Sequence, residues 1–574
     1  MTAPVDLLAP ALSDAIARAL GPEFAGADPV LRPSQYADVQ ANAALALAKR
    51  VGASPRDVAT RIVAELGDLP VSIDVSGPGF LNLTFDDAWI ESLLADLAAD
   101  ERLGVPTQEA QVVPIDYSAP NVAKEMHVGH LRTTVVGDAL ARVLEHLGHR
   151  VVRQNHIGDW GTPFGMLIEH LLDVGEGSEQ ALLLESDPNA FYQAARAQFD
   201  GDEDFATRAR ARVVSLQAGD EDTLRLWSEL VELSRRYFNR IYATLGVTLT
   251  DGDLAGESTY NDDLAGICDE LEAAGLATMS DGALCVFLDG YTGREGKPQP
   301  LIIRKSDGGY GYATTDLATI RHRVERLGAD RCLYVIGVPQ ALHLEMVWET
   351  ARLAGWLPDH VEVVHVRIGN VLGEDRKILR TRSGAPLRLM ALLEEAMANA
   401  RREVDRTRPE LPEEVRASIA PQVGIGAVKY ADLSVAHDSE YVFDLDRMLA
   451  YTGNTGPYLQ YATTRIRSIF RSAGVDPRFE APISLGAPAE RALALRLLAF
   501  GSVVAEVGDD LAPHRLCTYL FELAQEFSTF YEQCPVLKAD TVEQRGSRLS
   551  LSAVTLAVLV QGLDLLGIEA PERM

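Results

Sequence analysis

Ser118-Ala119-Pro120-Asn121-Val122-Ala123-Lys124-Glu125-Met126-His127-Val128-Gly129-His130 follows an apolar run with strand character (Val112, Val113, Ile115, Tyr117) and opens a segment of helical periodicity. In that segment Leu131, Val135, Leu140, Val143, Leu144 and Leu147 recur near the three-to-four spacing of a buried helix face, and Gly148 is placed to stop it. Another apolar run begins at Val151-Val152, so the unit reads strand, helix, strand. The N-terminus of such a helix presents unpaired amide donors and the positive end of the macrodipole, and both favour an anion. His127 and His130, three apart in the first turn, point the same way and add ring N–H donors. Gly129 removes a side chain where a ligand would lie. The stretch is expected to bind phosphate without a P-loop. As an isolated tetrapeptide HxGH carries little information; its strand–helix setting gives it weight.

A second constellation is Ser306-Asp307-Gly308-Gly309-Tyr310-Gly311-Tyr312-Ala313-Thr314-Thr315-Asp316. Its glycines open a turn, and Tyr312 and Asp316, four apart, share a helix face. A carboxylate beside a phenol suits a planar cation, with paired N–H···O bonds to the acid and the ring as a wall. A capping acid on a surface helix is the bland reading of the same residues. Downstream, the strand Leu333-Tyr334-Val335-Ile336 ends at Gly337, before Val338-Pro339-Gln340 and His343. Ligands in open α/β sheets bind beyond the carboxyl ends of strands, so Gln340 lies where a polar side chain meets a substrate.

SAPNVAKEMHVGHLR (118–132) resembles the signature of class I aminoacyl-tRNA synthetases in the form used by arginyl-tRNA synthetases. The likeness runs nearly end to end, from Asp38-Val39-Gln40-Ala41-Asn42 to residues 567–574. It implies an α/β fold: a class I Rossmann-like parallel-sheet catalytic domain with an inserted helical segment, a small N-terminal α+β domain and a C-terminal all-α helical bundle. It implies ATP and L-arginine as substrates, Mg2+ with the ATP, tRNA(Arg) as partner and no tightly bound prosthetic group. By the same resemblance His127, Gly129, His130, Gly369 and Val371 hold the nucleotide. Tyr312, Asp316 and Glu257 face the guanidinium, Gln340 contacts arginine, and Asn121 holds the amino-acid end. The block His156-Ile157-Gly158-Asp159-Trp160-Gly161 matches the family too, as a shaper of the pocket. Tyr36, Gln40 and Asn42 align with the part that meets the tRNA D-loop. Tyr458, Tyr461 and Arg465 fall in the anticodon-binding helices, where aromatics interleaved with arginines stack bases and hold phosphates. The family also implies that arginine activation needs bound tRNA.

One segment departs from the class. Where class I synthetases carry a KMSKS-type loop, Ile378-Leu379-Arg380-Thr381-Arg382-Ser383-Gly384 lacks both lysines. Arg380 and Arg382 supply charge, but a planar fork is not equivalent to an ammonium. A subset of arginyl-tRNA synthetases shares this loss and keeps a lysine just before the histidine motif. Lys124 fits that role, as the cation for the α-phosphate.

At 574 residues the chain is too long for one core. Expected units are residues 1–108; 109–395 with an insertion at about 172–245; 396–445; and 446–574. Helices are expected over 5–20, 42–51, 54–66 (Ser54 as N-cap, Pro55 first) and 224–245, whose face is Trp227, Leu230, Leu233 and Tyr237. The α/β pattern is expected to resume with 283–288 and 301–303. In the C-terminal bundle Leu516, Leu520, Leu523, Phe527, Phe530 and Tyr531 form a stripe. The net charge of −30, from 83 acidic and 53 basic residues, argues against a nucleic-acid partner when taken alone. Basic runs at 376–382, 401–408 and 465–471 are local exceptions, and each also reads as a solvated helix face. The N-terminal residues do not resemble a secretory leader, and the uncharged run 549–563 is too short to span a bilayer. Five cysteines without a CxxC pair read as reduced thiols. A cytoplasmic monomer away from membranes is expected. The rival readings are another enzyme of the HxGH superfamily and a non-enzymatic tRNA-binding relative.

Overall fold

The computed structural model describes residues 3–122, 124–293, 296–380 and 387–574. At its centre four parallel strands run in the order Glu362–Ile368, Arg331–Gly337, Val112–Asp116, Arg150–Gln154. The strand Val112–Asp116 feeds the helix Val128–His146, which returns the chain to Arg150–Gln154 on one side. The strand Arg331–Gly337 lies on its other side and feeds the helix Ala341–Leu353 toward Glu362–Ile368. The connections leave the two central strands in opposite directions, which opens a crevice beyond their carboxyl ends. Gly137 lets the helix close on this sheet: a Cβ there would stand 2.3 Å from the Tyr117 side chain.

Two sequence expectations need correction. The strands Ala283–Thr292 and Pro298–Arg304 do not extend the parallel sheet. With Ala277–Ser280 they form a separate antiparallel sheet, which shares a core with the helices Asn261–Ala273, Tyr312–Glu325 and Ala341–Leu353. The reason is the short turn between Ser280 and Ala283, where Asp281 (φ 49°) and Gly282 (φ 80°) are both left-handed. Such a turn joins antiparallel neighbours, whereas a parallel pair needs a crossover of a dozen or more residues. Within the insertion, the helix Glu221–Leu245 buries Leu226, Leu230, Phe238, Ile241 and Leu245. Trp227, Leu233 and Tyr237 are only half-buried on its flank.

The insertion is otherwise helical, with Pro188–Gly201 and Glu203–Gln217 packed on Thr162–Val174. Ser54 caps the helix Pro55–Glu65 by accepting from the Asp57 amide (3.1 Å), with Pro55 in its first turn. The N-terminal residues add a four-stranded antiparallel sheet. Beyond residue 455 the elements are helices, with Leu516, Leu520, Leu523, Phe527 and Phe530 buried in the stripe. The helix Val542–Leu565 has the length and composition to cross a membrane, but most of it is buried among its neighbours, as a bundle core helix is.

Candidate active site

A cleft of about 770 Å³ occupies the crevice. Asn121, His127, Gly129, His130, Glu257, Tyr312, Asp316, Gln340, Gly369, Val371 and Arg380 all line it. The guanidinium-side residues and the histidine motif therefore share one opening. Lys124 does not line it, and Arg382 lies outside the described residues.

The turn leaving Val112–Asp116 is strained, since Ser118 (φ 69°) and Ala119 (φ 44°) are both left-handed. Local bonds hold it: the Ala119 amide donates to Asn155 Oδ1 (3.1 Å), and Ser118 Oγ meets the Tyr242 hydroxyl of the inserted helix (2.8 Å). Asn121 is seated against Gly158, where a Cβ would stand 2.4 Å from its Oδ1. Trp227 of the insertion donates its indole N–H to the Asp159 carbonyl (2.7 Å) and meets Trp160 edge-on. Asp159 and Trp160 of the HIGDWG block thus tie the insertion to the pocket wall, while His156 lines the cleft itself.

The helix entrance differs from the open amide cradle read in the sequence. Val128 N donates to Leu387 O (3.0 Å), Gly129 N to His127 Nδ1 (3.1 Å) and His130 N to His127 O (2.8 Å). His127 N in turn donates to His130 Nδ1 (3.1 Å). Both rings accept at Nδ1, so each neutral ring carries its proton on Nε2. Burial lowers His127, with help from the Lys124 charge; burial, then His127, takes His130 down to about 3. The motif offers two neutral N–H donors beside a helix dipole, not a row of free amides. Gly129 also serves differently than expected: its missing side chain makes room for the His127 ring, 2.8 Å from where a Cβ would be.

At the other end Tyr312 and Asp316 project from the helix Tyr312–Glu325. Asp316 accepts from His343 Nε2 (2.6 Å) and lies 3.8 Å from His156 Nε2. Burial opposes a charge on His343, but the Asp316 hydrogen bond and charge prevail and raise it. Glu257 is buried and accepts from the Trp160 amide (3.2 Å). Burial, then the Asp159 and Asp316 charges, push it up to about 8. Tyr312 is raised by burial first and by Glu257 next. Gln340 is exposed at the rim, in the turn after Gly337.

Asp116 and His343, given no role from the sequence, also line the cleft, as does His156 of the block expected to shape the pocket. Asp116 ends its strand at the carboxyl edge and holds the buried Arg323 (2.9 Å), while its Oδ1 has no hydrogen-bond partner among the described residues. An acid closing an apolar strand before a left-handed turn was its available signal.

The residues expected to meet tRNA lie elsewhere. Tyr36, 84% exposed, lines a shallow cavity of about 400 Å³ with Asp74, Asn82 and Thr84. Gln40 donates to Asn82 (2.8 Å), whereas Asn42 turns a buried Oδ1 inward and lines no part of that cavity. On the helix Gly456–Ala473, Tyr461 lines a cavity of about 350 Å³ with Arg406, Arg408 and Tyr451. Tyr458 packs edge-on against Phe521, and Arg465 sits 4.6 Å over the Tyr531 ring. The run 465–471 is not one free basic face, since Arg467 and Arg471 donate to the carbonyls of Pro571 and Glu572.

A cleft at the switch point of a parallel sheet, with an HxGH entrance and an acidic far end, defines the catalytic unit of a class I aminoacyl-tRNA synthetase. Comparison with known proteins gives the family. Residues 92–445 match the family model described as tRNA synthetases class I (R), catalytic domain; 459–574 match the DALR anticodon binding domain; and 6–85 match the arginyl tRNA synthetase N terminal domain. An arginine–tRNA ligase from Thermobifida fusca is 69% identical over 577 residues, covering all of both chains. The crystal structure of an arginyl-tRNA synthetase from Plasmodium falciparum superposes with a TM-score of 0.84 at 28% identity, covering all of both chains. That of Thermus thermophilus arginyl-tRNA synthetase gives 0.79 at 27% identity, covering 99% of this chain and 100% of its own. The chain belongs to the arginyl-tRNA synthetase family. The reaction of this site is activation of L-arginine with ATP and transfer of the arginine to tRNA.

Proposed function

We propose a division of labour along the cleft. ATP lies over His127, Gly129 and His130, with its base end toward Gly369 and Val371. Arginine lies with its guanidinium between Tyr312, Asp316 and Glu257, its amide-facing side at Gln340 and its amino-acid end at Asn121. One observation carries this reading: Asp316 and both imidazoles line the same cavity.

In the first step an oxygen of the arginine carboxylate attacks the α-phosphorus, and the bond to pyrophosphate breaks. The protein does no covalent chemistry; it orients the reactants and offsets developing charge. The two Nε2–H groups donate to phosphate oxygens. Lys124, Arg380 and Arg382 supply cations in place of the missing KMSKS lysines. In the second step the terminal adenosine's 2′-hydroxyl attacks the arginyl carbonyl and AMP leaves. Mg2+ would arrive on the triphosphate, because Asp316 and Glu257 serve the opposite end; its chemistry is neutralisation of the departing pyrophosphate.

For tRNA(Arg), residues 1–108 are assigned to the D-loop through Tyr36, Gln40 and Asn42. Residues 446–574 are assigned to the anticodon loop through Tyr458, Tyr461 and Arg465, and 396–445 to the stem between. The exposed Tyr36 and the arginine-lined cavity at Tyr461 support these surfaces. A cytoplasmic monomer is proposed as well, supported by five buried, unbridged cysteines and by exposed large apolar residues scattered along the chain.

Amino-acid-dependent ATP–pyrophosphate exchange, with and without tRNA, tests the reading. Exchange should depend on arginine alone among the twenty amino acids. Lys124→Ala should lower the rate of adenylate formation far more than arginine affinity; an unchanged rate removes Lys124 from the mechanism.

A further inference from the structure

Lys124 faces away from the nucleotide cleft. Its Nζ stands 4.5 Å from the centroid of the Tyr192 ring, which belongs to the inserted helix Pro188–Gly201. With Glu125 it lines a small separate cavity walled by Leu184, Pro188, Leu230 and Tyr237 of the insertion. The dock is fastened on its flank. Arg388 pairs with Glu125 (2.9 Å) and reaches Asp187 (3.5 Å), the N-cap of the helix that carries Tyr192. Arg388 sits just beyond the arginine-bearing loop that replaces KMSKS, and its neighbours hydrogen-bond the histidine-motif backbone through Val128 N to Leu387 O (3.0 Å) and Leu389 N to Met126 O (2.9 Å). Three segments far apart in sequence therefore meet at Lys124.

We propose that Tyr192 is a positioning residue that parks Lys124 outside the nucleotide cleft, so that the placement of the inserted helical module sets how available this cation is for adenylate formation. The inference rests on the preceding reading of Lys124 as that cation. An ammonium is held on a ring face by the ring's quadrupole, and a desolvated face holds it best. A lysine stem has four rotatable bonds, so exchange of the ring for a phosphate needs side-chain rotation and no refolding. The cleft is within electrostatic reach, because the Lys124 charge already helps to lower His127 and His130.

The experiment compares ATP–pyrophosphate exchange, with and without tRNA, for the full-length protein and its Tyr192→Phe, Tyr192→Leu, Tyr192→Ala, Lys124→Ala and Tyr192→Ala/Lys124→Ala forms. Tyr192→Ala should raise the exchange rate by roughly three- to thirty-fold, the range set by the strength of a cation–π contact. Tyr192→Phe keeps the ring and should match the parent. Tyr192→Leu keeps apolar bulk and should reproduce the gain, which guards against a folding defect in the alanine form. The double variant should lose the gain. The inference is overturned if the Ala and Leu forms show no increase, or if the gain survives in the double variant. A Lys124→Ala form as active as the parent with tRNA would instead remove the underlying reading; a strong loss there with no gain at Tyr192 would remove only the parking.

Discussion

On the proposed reading the imidazoles of His127 and His130 mark the nucleotide end of the cleft, and the carboxyls of Glu257 and Asp316, beside His156 and His343, mark the arginine end. Burial disfavours charge of either sign, so it takes His130 down to about 3 and Glu257 up to about 8. What differs is the compensation. The imidazoles accept from backbone amides and stay neutral, while Asp316 accepts from the raised His343, with His156 Nε2 3.8 Å away. The arginine end thus holds charge in fixed positions that the substrate must re-pair. On the proposed reading the nucleotide end holds almost none and draws on the ammonium of Lys124, carried on a rotatable stem. Fixed charge suits discrimination between substrates, and movable charge suits control of rate.

The largest effect that would sharpen this contrast is at Asp316. Asp316→Asn leaves the guanidinium imperfectly paired in a site that also contains His343, and should lower kcat/KM for arginine by the equivalent of about 2–5 kcal/mol. The KM for ATP should hardly move in steady-state exchange; equal losses for both substrates would erase the distinction between the ends. Next comes His130→Ala, which removes a neutral N–H donor and the acceptor for the His127 amide. Adenylate formation should slow by about 10²–10³, as for loss of one aligned donor. Because His130 is lowered to about 3, the parent's rate should show no His130 titration between pH 6 and 9; a His130 signal titrating in that range by NMR would contradict the neutral assignment.

Much of this contrast is legible in the residues. Tyr312 and Asp316 are four apart, and a helix places such pairs on one face. The 118–130 stretch names its own strand and helix. What the sequence could not yield are partners chosen by tertiary packing. Lys124 meets a ring 68 positions later, Asp116 meets Arg323, and Arg388 joins Glu125 to Asp187. The amide cradle was misread because the segment at Leu387, distant in sequence, takes the first donor. The apolar run 283–288 signals a strand but not its sheet, and only the left-handed pair Asp281–Gly282 marks the antiparallel hairpin.

A smaller effect is expected far from the cleft. Tyr36→Ala should raise the KM for tRNA by the equivalent of at most about 1–3 kcal/mol, the range for one base stacked on a ring. Arginine and ATP kinetics should stay as they are, and a change in either would tie this surface to the active site.

The most direct test is calorimetry of arginine binding at pH 7 in two buffers of different ionisation enthalpy. Glu257, raised to about 8, is largely protonated in the empty cleft, and the raised His343 shares Asp316; a guanidinium favours both carboxylates free and ionised. Binding should therefore release protons, and affinity should strengthen as pH rises toward 8 and level off above it. Glu257→Gln should reduce the release. Heats that coincide in the two buffers, with affinity flat from pH 6 to 8, would contradict the account.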